Sequence, residues 1–391
     1  MTASIMAFFN PTDIATRIRQ TLNNHSDTLA LHQPCFKGNE WQYVKDCLDS
    51  RWVSSVGEYV DQFEVKLAEY TGAAYAIAVV NGTAALHACL TLVGIQPNDE
   101  VLCPALTFVA TANAITYCHA TPHFVDASFN TLGVDCDKLV EYLDKNTSVK
   151  NDTCFNNNTG RPIRALIAMH TFGHPVEIDR LQEICSAFCI TLVEDAAESL
   201  GSQYANQHTG TFGTVSALSF NGNKIITSGG GGAILTNDKH LAMRAKHITT
   251  TAKTTHPWEL NHDELGYNYR LPNINAALGM AQLEQLDTFL DYKRQLAEQY
   301  QQTFKDTPGV TVFKEPANAH SNYWLNILLL DDDLSPTRDL ILSELHANGI
   351  LSRPAWQLMH RLPMYNQCQK MTLTNAEQLY QKIICLPSSV V

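Results

Sequence analysis

From residue 74 to 236 the chain alternates short, wholly apolar runs with stretches of helical periodicity, and this alternation constrains the fold more than any other feature. Ala76-Ile77-Ala78-Val79-Val80 shows no polar alternation, so it reads as a strand covered on both faces. After Asn81-Gly82-Thr83, apolar residues recur at 86, 89, 90 and 93, the i, i+3, i+4, i+7 spacing of one helix face. Further strands are expected over 100–103, 123–126, 165–169, 191–194, 215–220 and 233–236, with helices at 107–118, 135–144 and 177–188. Such alternation predicts an α/β fold with a large, mostly parallel sheet. Residues 145–162 are rich in Asn and Thr without periodicity and read as a surface loop.

The pattern changes near residue 276. A long helix is expected over 276–306, then strands over 310–313 and 326–330. A helix follows over 335–348, with Ser335 as N-cap and Pro336 at the first helical position. The expected division is therefore a large domain, residues 1–275, and a smaller α+β domain, residues 276–391. The large domain carries an N-terminal extension with a candidate helix at 11–24.

Charge narrows the function classes. With 27 Lys+Arg against 39 Asp+Glu the net charge is −12, which argues against partners such as nucleic acid or an anionic membrane. No apolar run is long enough to span a bilayer, and the N-terminus lacks the basic and apolar regions of a signal peptide, so a cytoplasmic protein is expected. Eleven cysteines without a Cys-x-x-Cys pair read as reduced thiols, Cys185 and Cys189 as buried neighbours on one helix. His170 and His174 are four apart, but Gly173 and Pro175 break the helix and no Glu follows His170, so no metal site is expected.

Three segments fall where ligands collect in open α/β sheets, at the carboxyl ends of strands. Asn81-Gly82-Thr83-Ala84-Ala85 joins strand to helix with small residues, a shape that lets a phosphate approach free N–H groups. Taken alone, such a strand–helix turn is more often purely structural. In Leu192-Val193-Glu194-Asp195-Ala196-Ala197-Glu198 an apolar strand runs into a carboxylate, which either meets a buried positive group or caps a helix. In Ser219-Phe220-Asn221-Gly222-Asn223-Lys224, a lysine precedes the run Gly229–Gly232. A desolvated lysine there is a candidate Schiff-base former; the alternative is a solvated surface charge. Pyridoxal phosphate (PLP) needs all three: a phosphate cup, a lysine for its aldehyde and an acid against its pyridine nitrogen. Phe108, in a strand-end loop, is a candidate to stack on its ring.

On NGTAALHA, PALTFVATANAI, VEDAAESLGS, SFNGNK with SGGGG, and GYNYRLPNINAALGMAQLEQL, the chain resembles the DegT/StrS-type sugar-nucleotide aminotransferases from Gly38 to the C-terminus. That resemblance implies the aspartate-aminotransferase fold (fold type I) with PLP as cofactor. It implies Lys224 as the Schiff-base lysine, Asp195 against the pyridine nitrogen, and Glu198 near the phenolic oxygen, where many relatives have Gln. It further implies Gly82, Thr83 and Ser219 at the phosphate, Phe108 over the ring, and Asn268 reaching the phosphate of a neighbouring subunit in a homodimer with shared active sites. The expected substrates are L-glutamate and a nucleotide-linked keto sugar. LDSRWVSSVGEYVDQFE, SRPAWQLMHRLPMY and ICLPSSV are most similar to 4-aminotransferases that make UDP-4-amino-4,6-dideoxy-N-acetylglucosamine, for surface-polysaccharide or glycan biosynthesis. Arg353 or His360 is expected to line the substrate cleft, and the aromatics of 356–365 to serve packing. The alternatives are a 3-keto sugar-nucleotide aminotransferase, a dehydratase on the same scaffold, which carries His in place of Lys224, and a non-catalytic sugar-nucleotide sensor.

Overall fold

The computed structural model describes residues 11–24 and 26–391. The N-terminus expected to lack a signal peptide lies partly outside them, at residues 1–10. Nine of eleven strands up to residue 236 form one sheet: β1 Tyr75–Val79, β2 Glu100–Pro104, β3 Thr121–Val125, β4 Thr147–Lys150, β5 Thr153–Asn156, β6 Pro162–Met169, β7 Thr191–Asp195, β10 Val215–Ser219 and β11 Gly232–Thr236. Its order is β1-β11-β10-β7-β6-β2-β3, with β5 on β6 and β4 on β5. From β10 to β3 the strands are parallel, whereas β11 runs antiparallel to both β10 and β1. Helices cover the sheet, and Gly82–Leu92 is buried almost all round, which explains its nearly unbroken apolar sequence. The remaining short strands, β8 Gln203–Tyr204 and β9 Gln207–His208, join β13 Ala319–His320 in a separate three-stranded sheet.

Residues 145–162 are not a loop. They hold the β4–β5 hairpin, closed at Lys150↔Thr153 by Asn151 and Asp152, both with positive φ (49° and 55°). Asn and Asp tolerate that conformation, so the residues that suggested a loop make a two-residue hairpin turn. Polar side chains beyond the turn satisfy a buried acid, with Asn156 Nδ2 and Thr159 Oγ1 donating to the Glu100 carboxylate at 2.8 and 2.6 Å. The long helix expected over 276–306 is two, Asn273–Leu283 and Leu286–Phe304. Ser335 caps no α-helix; Ser335–Thr337 is a 3₁₀ turn, and Arg338–Ala347 follows with Thr337 at its N-cap. Cys189 sits past the end of Ile178–Ala187, exposed and with φ 55°, so only Cys185 of that pair is buried. All eleven cysteines are unpaired. No helix among the described residues is long and apolar enough to cross a membrane.

The C-terminal part builds an antiparallel sheet, β12-β14-β16-β15, from β12 Val310–Val312, β14 Asn326–Leu330, β15 Arg353–Pro354 and β16 Ile383–Leu386. The expected domain division at 275/276 falls inside the helix Asn273–Leu283. We propose the helix Leu286–Phe304 as the joint instead. Its Leu286, Phe289 and Leu290 pack with β1, β10 and β11, whereas Leu296, Tyr300 and Phe304 pack with the C-terminal sheet.

One buried carboxylate ties the two parts together. Asp126, just after β3, accepts from the backbone N–H of Asn375 and Ala376 at 3.1 and 2.8 Å, and from Lys138 Nζ at 2.6 Å. The two N–H groups open the helix Thr374–Lys382, whose dipole favours an anion there. Asp126→Ala strands those donors and is expected to cost about 3 kcal/mol, read from the shift of the denaturant midpoint.

Candidate active site

Gly82, Thr83, Phe108, Asp195, Glu198, Ser219 and Lys224 all line one cavity of about 240 Å³ where β1, β7 and β10 end. A larger cavity, about 760 Å³, runs along Tyr43 to Gln62; it holds Asp46, Glu58 and Asp61 but no Lys, His or Cys, so it offers no nucleophile or base of that kind.

At the turn after β1, Asn81 caps the helix Gly82–Leu92, its Oδ1 accepting from Ala84 N–H at 2.8 Å. The first intrahelical bond runs from Ala85 N–H to the Asn81 carbonyl (3.0 Å). The N–H groups of Gly82 and Thr83 therefore have no acceptor within the helix and sit at its positive end, a ready phosphate cup. A Cβ at Gly82 would lie 2.8 Å from Ser219 Cβ, so glycine is what lets the end of β10 approach the cup.

Asp195 ends β7 and is 2% exposed. Its Oδ2 accepts from Thr111 Oγ1 at 2.7 Å and its Oδ1 from Ala197 N–H at 3.2 Å. Burial pushes its carboxyl up from the ordinary carboxylate range, and among the described residues no cationic side chain pairs with it. No helix starts here, so the capping alternative does not apply. A buried acid that faces a cavity and lacks a cation suits a protonated ring nitrogen. With the phosphate cup and Lys224 in the same cavity, the donor set fits PLP.

Lys224 Nζ lies 3.2 Å from Glu198 Oε1 and 4.1 Å from the centre of the Trp324 ring. That ring is pinned above it by Nε1 donating to the Asn223 carbonyl at 2.7 Å. Glu198 Oε2 accepts from Phe172 N–H at 2.8 Å, and burial pushes the Glu198 carboxyl up to about 7. Phe172 holds φ 56°, a conformation that costs a residue with a Cβ about 1–3 kcal/mol. Gly173 beside it has φ 93°, and a Cβ there would come within 1.9 Å of Asn322 Oδ1.

Sequence reasoning missed Thr111, Phe172, Trp324 and Trp356. Trp356 is not mere packing: it lines the cavity and stacks on Phe172, ring centres 4.8 Å apart. Arg353 and His360 do not line it; His360 Nε2 pairs with Glu377 at 2.8 Å. His170 Nε2 pairs with Glu194 at 2.9 Å, and His174 is buried between the rings of Phe313 and Tyr323. His247, Asp263 and Glu264 lie together with their ligand atoms in reach of one another, and Arg244 pairs with Glu264. Asn268 lies outside the cavity, its Oδ1 accepting from Arg270 Nε at 3.2 Å.

The model of the DegT/DnrJ/EryC1/StrS aminotransferases matches residues 34–390. The chain belongs to this family. It is 37% identical to a GDP-perosamine synthase of Escherichia coli O157:H7, over 92% of this chain and 93% of that one. A GDP-perosamine synthase of Vibrio cholerae is 36% identical over 92% and 94%. Among solved structures, the Helicobacter pylori aminotransferase PseC, involved in the biosynthesis of pseudoaminic acid, superposes with TM-score 0.83 at 26% identity, covering 92% and 93% of the two chains. The protein is thus a PLP-dependent aminotransferase acting on a sugar nucleotide, with the fold of its structural neighbours. The sensor alternative is set aside.

The raised carboxyl of Glu198 makes the stability of the cofactor-free aminotransferase depend on pH. The folded state binds that proton more tightly than the unfolded chain, so the stability it contributes is present below pH 4.5 and lost as pH rises through about 7. Glu198→Gln removes this dependence. Its melting temperature should gain on that of the unsubstituted protein across the window; parallel curves would mean that Glu198 stays charged throughout.

Proposed function

We propose that the enzyme transfers an amino group from L-glutamate to the C4 keto group of a nucleotide-linked 4-keto-6-deoxy sugar, UDP-2-acetamido-2,6-dideoxy-4-keto-glucose. The observation that carries the chemistry is the convergence on one cavity of the Lys224–Glu198 pair and of Asp195, to which no cationic side chain among the described residues hydrogen-bonds. PLP, when bound, supplies the electron sink for the carbanion left as the donor loses its α-hydrogen. Lys224 Nζ is the base that takes the proton from the donor's α-carbon and would pass it to the cofactor's C4′ carbon; in the second half of the cycle it runs the transfer in reverse and delivers a proton to C4 of the sugar. Glu198 Oε1 holds the lysine's charge in place. Asp195 keeps the ring nitrogen protonated, the N–H groups of Gly82 and Thr83 with Ser219 hold the phosphate, and Phe108 covers the ring. The UDP-linked substrate rests on the segments around Trp52 and Trp356; the names of the relatives favour a second reading, a GDP-linked keto sugar. We place the reaction in the cytoplasm, where eleven unpaired thiols stay reduced.

A panel of UDP-, dTDP- and GDP-linked 4-keto and 3-keto 6-deoxy sugars, assayed for 2-oxoglutarate release with the amino sugar identified by NMR, tests this. Turnover is expected with the 4-keto UDP sugar, and Lys224→Ala should lower it by about 10⁴-fold or more. Turnover confined to a GDP-linked or a 3-keto sugar rejects the UDP or the C4 assignment respectively.

The active enzyme on this reading is a homodimer in which Asn268 reaches the neighbouring subunit's cofactor phosphate. Its position outside its own chain's cavity supports this, as do the highly exposed apolar side chains Trp258, Leu260 and Leu265 nearby in sequence. Inactive Lys224→Ala chains exchanged with chains inactivated at Asn268 should regain one working site per mixed dimer. Background activity after verified exchange rejects shared sites.

A further inference from the structure

Trp356 belongs to the segment that follows β15, yet a short run of contacts connects it to the Lys224–Glu198 pair. Its ring lies against that of Phe172, centres 4.8 Å apart and planes 18° from parallel. Phe172 is buried and donates its N–H to Glu198 Oε2 at 2.8 Å, while Oε1 faces Lys224 Nζ at 3.2 Å. The direction of that N–H depends on φ 56°, a value a residue with a Cβ abandons unless its surroundings hold it. On the backbone side the turn is held by Gly173 N–H on the His170 carbonyl (3.1 Å) and by Leu325 N–H on the Phe172 carbonyl (3.4 Å). On the side-chain side it is held by the stack with Trp356.

We propose that Trp356 is a positioning residue: by stacking on Phe172 it keeps that N–H on Glu198 Oε2, and so keeps Oε1 turned to Lys224. The inference rests on the reading of Lys224 as the cofactor-bearing lysine. Around the pair, Asp195 shares the cavity with Lys224 and Glu198, and the other titratable groups within electrostatic reach are Cys385 of β16 for Glu198 and His32 for Lys224. An N–H donated to a carboxylate favours its charged form. Without it Glu198 binds a proton more tightly and no longer offsets the charge on the lysine nitrogen, which then gives up its own proton at lower pH.

The readout is the pH titration of the visible band of PLP linked to the holoenzyme. In Trp356→Leu the midpoint should fall by about one pH unit, the scale of one hydrogen bond to a charged group. Trp356→Phe keeps a flat ring and should keep the original midpoint. Phe172→Leu removes the stack from the other side, should reproduce the shift, and serves if Trp356→Leu does not fold. A lowered melting temperature with an unmoved midpoint in both leucine variants overturns the proposal, as does an equal shift in Trp356→Phe. Borohydride reduction of the unsubstituted holoenzyme, followed by peptide mapping, tests the underlying reading separately. A label away from Lys224 sinks that reading whatever the variants do.

Discussion

A carboxylate at the end of β7, buried and, among the described residues, hydrogen-bonded by no cationic side chain, is the constraint on which the rest of the site depends. Removing Asp195 from water is unfavourable, and the chain offsets only part of the cost with two hydrogen bonds, from Thr111 and Ala197. What remains would be compensated by a positively charged ring nitrogen, which is why this acid fits PLP. The parallel strands make this possible, because their carboxyl ends open into one crevice and bring Asp195, Ser219 and the helix after β1 around the same space.

The second strained element is the Phe172–Gly173 turn. Both residues hold left-handed backbone, and the space beside Gly173 is filled by Asn322 from the C-terminal part. Asn322 Nδ2 donates in turn to the carbonyls of Glu198 and Leu200, so the segments carrying Glu198, Phe172 and Trp324 lock against one another. Trp324 then reaches back through its Nε1 to the Asn223 carbonyl and roofs Lys224. Backbone strain of about 1–3 kcal/mol persists only where surroundings over-determine it, and here three chain segments do.

Much of the large sheet was legible because strands buried on both faces leave an unmistakable run of apolar residues, as in parallel β6 at 165–169 and in β1, whose partner β11 is antiparallel. The β4–β5 hairpin was not, because Asn156 at its end and Thr159 beyond it face a buried carboxylate, Glu100, that lies 56 and 59 residues away in sequence. Glu284–Gln285 divides what reads as a single helical pattern, since periodicity alone does not mark a break without Gly or Pro. The motif residues from Gly82 to Lys224 were legible because each sits in a local pattern with its own chemistry: a glycine in a strand–helix turn, an acid ending an apolar strand, a lysine before a glycine run.

By itself the sequence determined an α/β fold, membership in one PLP-dependent aminotransferase family and the motifs that come to line one cavity, because strand periodicity and motif spacing are local properties of a chain. Only the tertiary structure decided that Trp324 and Trp356, from the C-terminal third, wall the cavity and that Phe172 orients Glu198. Those contacts join residues 26 to 184 positions apart, and no periodicity or spacing encodes a stack or a hydrogen bond that forms only when separate elements pack together.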